Sequence, residues 1–283
     1  MLLALDAGNT NITIGAFDGA KLTGHWRLRT IREQTPDEWG ILLRNLFSLS
    51  SLDLAAIDGV VISNISIEDA RAPIFIRLGN RARSMATATP GSLKNISIQN
   101  VTAMGADLPS SITGVAGGHV QDVMIDGLTV TVKGGGATGT LDVPEVLAKY
   151  PESTMFGELP SIGVFARHVD GLTLRNIKVH AMQPDARPTF IADDVTRLEL
   201  SGFDSANTPE GPILLFRNVV SALLYGNQLS APANLFLSVM GASSKGIALR
   251  ANSLGLARKV VAQSQDVPAV AVSLEANAGS PGR

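Results

Sequence analysis

The sequence predicts a mainly β protein, in which a small α/β segment precedes a parallel β-helix. Two observations support this fold class. Charged residues make up 17% and aromatic residues 5% of the 283 residues, while 28 residues are glycine; small side chains and frequent turns are typical of repetitive β architectures. A short phrase that ends in an apolar residue after Asn or Gly also recurs through the later part of the chain.

The first 60 residues carry signals for strands and one helix. Apolar runs predict strands over residues 2–5, 12–17, 22–29 and 57–62. Asp18–Gly19 is a hairpin signal between two of them. Thr35, Pro36 and Glu38 have the spacing of a capping box with proline in the first helical turn, so a helix is expected to begin here. Its apolar stripe comprises Trp39, Leu42, Leu43, Leu46 and Phe47.

The recurring phrase begins at residue 62. Its copies are Ile62–Ile65, Ile98–Val101, Ile125–Leu128, Leu174–Ile177 and Leu200–Phe203, with looser copies at Leu224–Leu229 and Leu249–Leu254. Their starts are separated by 36, 27, 49, 26, 24 and 25 residues. We interpret each copy as one of about seven coils of a parallel β-helix, with an insertion over residues 134–160 in the longest gap.

The constant place of Asn or Gly within the phrase favours a β-helix over a β-sandwich with regular strand spacing. Both residues tolerate the left-handed backbone that a turn between two strands requires. In stacked coils, each Asn is also expected to form a hydrogen bond to its counterpart one coil away.

Composition excludes several classes of function. The net charge is −2, so a dominant nucleic-acid surface is not expected. The chain has no cysteine, and its four histidines lack the spacing of a metal motif. No apolar run is long enough to cross a membrane, and the N-terminus lacks the basic start of a signal peptide. We therefore expect no membrane partner and a cytoplasmic location.

Residues 1–63 resemble type III pantothenate kinases of the actin/hexokinase-like ATPase superfamily. The resemblance rests on Leu5–Asn11, Gly15–Gly19, the helix Asp37–Leu46 and Ile57–Ser63. It implies Mg-ATP binding: Asp6 would orient Mg²⁺, while Gly8, Asn9 and Thr10 would contact the phosphates. The later phosphate loop and adenosine pocket of this family are missing, and Gly105–Leu108 resembles its Gly-x-Asp-Arg motif without the arginine.

Residues 60–283 resemble the C-terminal part of glycoside hydrolase family 28, the polygalacturonase and rhamnogalacturonan hydrolase group. The matching stretches are residues 62–65, 73–81, 93–102, 109–115, 150–157 and 171–176. The resemblance implies a right-handed, pectin-lyase-like parallel β-helix that needs no cofactor and descends from a secreted parent. The family's Asn-x-Asp, Asp-Asp and Gly-His-Gly motifs would lie upstream, so no catalytic residue is assigned. Arg77, Asn80 and Arg81 are the candidates for binding acidic sugars.

Other candidate residues have simpler interpretations. Asp193–Asp194 could supply acid and base for residual hydrolysis, but the pair precedes a repeat phrase, as polar turns do elsewhere in the chain. His119 and His168 recur before coil strands, which favours a turn role over metal binding. The insertion carries Glu145, Glu152 and Glu158, which could line a groove or face solvent.

The sequence thus predicts a kinase-like segment over residues 1–61 and a β-helix over residues 62–283, joined as a chimera. The main functional prediction is a truncated, catalytically inactive pectic-polysaccharide hydrolase with weak binding of acidic polysaccharide. Whether the chain is an enzyme stays open, because key motifs of both families are missing. The alternative is ATP-dependent phosphorylation of pantothenate. Because an uncapped coil exposes a strand edge, self-association through this edge is a further expectation.

Overall fold

The computed structural model describes residues 1–8, 10–31, 34–69, 71–80, 90–147 and 149–278. The strands are β1 (Leu2–Ala7), β2 (Asn11–Asp18), β3 (Lys21–Arg29), β4 (Gly59–Glu68), β5 (Phe75–Arg77), β6 (Lys94–Ala106), β7 (Ser110–Thr113), β8 (Val120–Gly134), β9 (Val164–Gln183), β10 (Phe190–Ser201), β11 (Asp204–Ser205), β12 (Pro212–Arg217), β13 (Val220–Tyr225), β14 (Gln228–Leu229), β15 (Ala233–Met240), β16 (Lys245–Arg250), β17 (Ala257–Gln263) and β18 (Val272–Glu275). The helical elements are α1 (Pro36–Leu49) and a 3₁₀ turn at Leu54–Ala56. None of the described helices is long and apolar enough to cross a membrane.

The N-terminal strands and helix form where the sequence predicts them. β1 pairs antiparallel with β2, and β2 pairs antiparallel with β3. Helix α1 begins after Thr35, whose hydroxyl accepts from the Glu38 N–H while the Glu38 carboxylate accepts from the Thr35 N–H, so the capping box is confirmed. Phe47 is buried against Trp26, with 5.3 Å between ring centroids. The helix therefore covers one face of the antiparallel strands.

From β4 onward the strands stack in parallel, one level for each copy of the recurring phrase. The first residues of the copies lie on successive paired strands: Ile62, Ile98, Ile125, Leu174, Leu200, Leu224 and Leu249. A second row of strands runs through β5, β7, β9, β10, β12, β15 and β17. Apolar side chains from these rows meet in one continuous buried core. The predicted register of the phrases is thus confirmed.

The five closer copies of the phrase turn the chain at their Asn or Gly. All five residues at this position have a left-handed backbone: Asn64, Asn100, Gly127, Asn176 and Gly202. In the looser copies, Gly226 and Ala251 take the left-handed conformation, while the asparagines that follow them point inward. Asn227 Nδ2 donates to Asn252 Oδ1 at 2.9 Å, and Asn252 Nδ2 donates to Asn277 Oδ1 at 2.8 Å. For these asparagines the predicted hydrogen bonds between levels are confirmed, whereas Asn176 Nδ2 donates to Asp126 Oδ1.

The predicted insertion lies between β8 and β9 and packs on the outside of the stack. Val143, Met155, Phe156 and Leu159 of this segment form a small apolar cluster with Phe165 and other residues of the adjacent strands. Arg77 and Arg167 donate hydrogen bonds to its backbone carbonyls. The insertion is therefore held over the row that contains β5, β7, β9 and β10.

The fold class predicted from the sequence needs correction. A separate ATPase-like fragment followed by a right-handed, pectin-lyase-like β-helix was expected. In the described residues, all 18 strands instead belong to one mixed sheet. β1 joins its antiparallel and parallel parts, because it also pairs in parallel with β4, which in turn pairs with β6. β4 runs across the expected boundary at residue 61, and its residues Gly59–Ser63 pair with β1. The division into two domains stays a prediction.

Candidate functional site

The β1–β2 hairpin holds the residues for which nucleotide binding is predicted. Asp6 lies near the end of β1, beside Ser63 of β4, and its side chain is exposed. Its Oδ1 accepts a hydrogen bond from Asn64 Nδ2 at 3.2 Å, and Asn64 Oδ1 accepts from Asn100 Nδ2 at 3.3 Å. Two turn asparagines of the stack therefore orient the carboxylate of the hairpin.

The turn after Asp6 is tight. The Gly8 N–H donates to the Asn11 carbonyl at 3.0 Å, and a Cβ on Gly8 would lie 3.1 Å from that oxygen. Thr30, which directly follows β3, holds this turn: its hydroxyl donates to the Gly8 carbonyl and its N–H donates to the Thr10 carbonyl. In this conformation the Gly8 N–H closes the turn, and contact between Gly8 and phosphate stays a prediction. Thr10 is exposed, and Asn9 lies outside the described residues.

The incomplete Gly-x-Asp-Arg pattern does not join this hairpin. Asp107 follows β6 and forms an ion pair with Lys133 of β8 at 2.7 Å. Met104 pairs with Glu68 of β4, five residues beyond the Ser63 that pairs with Asp6. At roughly 3.3 Å per residue, these positions lie on the order of 15 Å apart along the strand. Asp107 is thus remote from Asp6.

A second candidate site lies where the insertion meets the stack. Successive paired strands place a ladder of polar residues side by side: Arg77, Thr113, Arg167, Asp193 and Arg217. Beyond this ladder, Asp142 and Glu145 of the insertion join His168 and Asp194 around a cleft of about 490 Å³. We call it the insertion cleft. Among its described lining residues, four carboxylates face two guanidinium groups.

Both arginines of the insertion cleft have fixed roles. Arg217 donates two hydrogen bonds to Asp193, at 2.9 and 2.7 Å, and one to Asp142 at 2.7 Å. The hydrogen bonds to Asp193 raise the pKa of Arg217. Arg167 is buried and donates to the carbonyls of Val143 and Pro144; burial lowers its pKa, against the attraction of Glu145. Because Asp193 is committed to Arg217, it is poorly placed to act as a free acid or base.

A histidine–carboxylate cluster lies at the edge of the same cleft. Asp194 Oδ2 is 2.6 Å from His168 Nδ1 and 3.1 Å from His119 Nε2. His168 Nε2 is 3.0 Å from Glu145 Oε1. The sequence interpretation placed both histidines and Asp194 in turns. His119 directly precedes β8, whereas His168 and Asp194 lie within β9 and β10 with a left-handed backbone. It missed that the stack brings the three residues together, because they are far apart in sequence.

The predicted sugar-binding residues lie beside the insertion. Arg77 donates to the carbonyls of Gly114 and Glu145, at 2.6 and 2.7 Å, and stacks over Phe156. Burial lowers the pKa of its guanidinium. Asn80 is half-buried, and Arg81 lies outside the described residues. Arg77 therefore anchors the insertion, and binding of acidic polysaccharide at this surface stays a prediction.

Comparison with known proteins favours one of the two resemblances. The family model that matches residues 2–126 is that of type III pantothenate kinase. The type III pantothenate kinase of Solibacter usitatus (strain Ellin6076) is 66% identical over 65 residues, which are 23% of this chain and 25% of the relative. That of Anaeromyxobacter sp. (strain K) is 52% identical over 65 residues, 26% of its length. The chain thus spans about a quarter of these relatives.

One similarity extends further along the chain. The type III pantothenate kinase of Exiguobacterium sp. (strain ATCC BAA-1283 / AT1b) is 28% identical over 210 residues, which cover 71% of this chain and 75% of the relative. The family match likewise continues past residue 63, where the sequence resemblance was expected to end. These matches overturn the assignment of the later residues to glycoside hydrolase family 28. The prediction of a truncated pectic-polysaccharide hydrolase is therefore wrong.

Proposed function

We propose that this chain binds Mg-ATP at the β1–β2 hairpin and transfers its terminal phosphoryl group to pantothenate. The observation that carries the proposal is the position of Asp6, exposed at the end of β1 and directly before a tight glycine turn. The hairpin lies within residues 2–126, which the family model of type III pantothenate kinase matches. Because the chain covers about a quarter of the Solibacter usitatus relative, the complete reaction is part of the proposal.

The hairpin has the donor chemistry that Mg-ATP requires. Mg²⁺ prefers carboxylate oxygens and keeps several of its waters, so Asp6 would hold the ion directly or through water. Among the described residues, Asp6 has one hydrogen-bond partner, the neutral amide of Asn64, and no cation neutralises its charge. The Thr10 hydroxyl is exposed at the same turn. When bound, Mg²⁺ neutralises charge on the transferred phosphoryl group.

Asn64 and Asn100 would act as positioning residues. Their side chains form a chain of hydrogen bonds that ends on Asp6 Oδ1. These hydrogen bonds would help to orient the carboxylate of Asp6. A cytoplasmic location, where ATP is available, belongs to the same proposal.

A thermal-shift experiment with Mg-ATP tests the binding step. A ligand at 100 times its Kd stabilises the folded state by roughly 2.7 kcal/mol, which raises the melting temperature by several degrees. Asp6→Ala should abolish this increase. Asp18→Ala is the matched control, since Asp18 is an exposed aspartate at the other end of β2. No increase for the wild-type chain, or an equal increase for Asp6→Ala, would contradict the proposal.

A further inference from the structure

The two histidines and the aspartate at the insertion cleft meet only because of the stack. Val120, Val169 and Val195 are aligned on three successive paired strands. His119, His168 and Asp194 each directly precede one of these valines. His168 and Asp194 adopt a left-handed backbone at this position, which turns both side chains away from the apolar core. Three potential ligands are therefore presented side by side by the regular part of the fold.

We propose that His119, His168 and Asp194 bind a divalent transition-metal ion of the Zn²⁺ type. Their ligand atoms lie within 4.8 Å of one another. In a tetrahedral zinc site, bonds of about 2.0–2.1 Å place neighbouring ligand atoms about 3.3 Å apart. The observed separations from Asp194 Oδ2 are 3.1 Å to His119 and 2.6 Å to His168. Insertion of an ion would lengthen these two separations by less than 1 Å.

The surroundings of His168 match those of a metal-binding histidine. Its Nε2 faces Glu145 Oε1 at 3.0 Å. A carboxylate in this position accepts the Nε2 proton and leaves the Nδ1 lone pair directed at the metal. The other oxygen of Glu145 is buried and has no hydrogen-bond partner among the described residues. Glu145 would thus be a positioning residue that fixes the tautomer of His168.

Charge and access also favour a cation. The described lining of the insertion cleft contains four carboxylates, Asp142, Glu145, Asp193 and Asp194, but only two arginines. The side chains of His119 and Asp194 are 31% and 42% exposed, so an ion can reach them from solvent. Three protein ligands leave a fourth position open to water. Imidazole nitrogens select zinc or a similar transition metal over Mg²⁺, which separates this site from the one proposed at Asp6.

Metal titration of the full chain tests the proposal. Protein treated with a chelator and dialysed is titrated with ZnCl₂ by calorimetry and with CoCl₂ by visible absorption, without nucleotide. We expect one equivalent of each metal per chain. His119→Gln and Asp194→Asn should weaken the affinity at least tenfold, and Glu145→Gln should weaken it by about 10- to 100-fold. Circular dichroism melts establish that each variant is folded.

Two variants serve as controls. His180→Gln removes a half-buried histidine of β9 that lies outside the cluster. Asp6→Ala removes the carboxylate of the hairpin. Both should retain the wild-type equivalent and affinity. The proposal is overturned if the wild-type chain shows no saturable binding, if folded His119→Gln binds as tightly as wild type, or if His180→Gln loses as much affinity as His119→Gln. Loss of ATP binding with intact zinc binding would refute only the function proposed for the hairpin.

Discussion

The guanidinium of Arg217 holds the carboxylate of Asp193 through two parallel hydrogen bonds, at 2.9 and 2.7 Å, across neighbouring levels of the stack. The Asp193 side chain is only 10% exposed, whereas that of Arg217 is 26% exposed. This geometry gives both orientation and strength to the pair. The floor of the insertion cleft is thereby fixed by a structural ion pair.

Removal of one partner should destabilise the fold. Asp193→Ala leaves the Arg217 guanidinium without its main acceptor, so we expect the free energy of unfolding to fall by about 2–3 kcal/mol. The matched control is Asp170→Ala, which breaks the more exposed ion pair with Arg197 and should cost less than about 1 kcal/mol. Urea denaturation measures both. Equal losses would show that burial does not strengthen the Asp193 pair.

The insertion should detach when Arg167 is replaced. Arg167 donates to two carbonyls of the insertion and lies over the Phe156 ring, 5.7 Å from its centroid. Arg167→Met keeps the apolar length but removes the donors, so trypsin should cleave after Lys149 several times faster. Arg175→Met, at an exposed arginine of β9, is the control and should leave this rate unchanged. An unchanged rate in Arg167→Met would mean that apolar packing alone holds the insertion.

The sequence was sufficient to predict the register of the stack, because Ile or Leu must face the core and Asn or Gly must turn the chain. It was insufficient to assign a family to that stack. A pattern of apolar residues and turns reports how strands pack, and packing does not identify chemistry. This is why the resemblance to a polysaccharide hydrolase misled the functional prediction, whereas the contiguous match in residues 1–63 pointed to the family that the comparisons found.

The insertion cleft could not be predicted from the sequence. His119 lies 75 residues before Asp194, and no local spacing connects them. Their contact depends on the fold: the insertion separates β8 from β9 along the chain, and the two strands nevertheless pair in register.

The looser phrases were also ambiguous. Ala251 takes the left-handed position there, with φ of 51°, while the neighbouring Asn252 turns inward, an exchange that composition does not reveal.

The inward asparagines should contribute strongly to stability. Asn252 is buried and donates to the Leu224 carbonyl and to Asn277, while its Oδ1 accepts from the N–H and the side chain of Asn227. Asn252→Ala leaves these buried groups unpaired, so we expect a loss of at least about 3 kcal/mol in urea denaturation. Asn234→Ala, at an exposed asparagine, should cost less than about 0.5 kcal/mol. A small loss of stability for Asn252→Ala would indicate that water replaces the hydrogen bonds that Asn252 forms.

Stability should also depend on the ionisation of Asp185. Burial raises the pKa of this carboxyl, but hydrogen bonds from the Arg187 side chain and from the Arg187 and Gly136 N–H groups outweigh burial and hold the pKa below its ordinary value of 3.8. A carboxyl with a lowered folded pKa stabilises the protein above the unfolded pKa, and this stability is lost as pH falls through the folded pKa. The loss should therefore occur below about pH 4.

Asp185→Asn distinguishes this carboxyl from the others. The variant should be at least about 2 kcal/mol less stable than wild type at pH 7, because it breaks a buried ion pair with Arg187. As the pH falls below about 4, it should lose less stability than wild type. Chemical denaturation at several pH values measures the difference, and parallel curves for the two proteins would exclude Asp185 as a contributor.

Pantothenate-dependent formation of ADP tests the proposed function most directly. Purified full-length chain is incubated with Mg-ATP, with and without pantothenate, and ADP and phosphorylated pantothenate are quantified. We expect both products in equal amounts from the wild-type chain and from Asp18→Asn, and at least a hundredfold lower rate from Asp6→Asn. Absence of pantothenate-dependent ADP from folded wild-type protein, or an undiminished rate in Asp6→Asn, would contradict the assignment of the hairpin as the phosphoryl-transfer site.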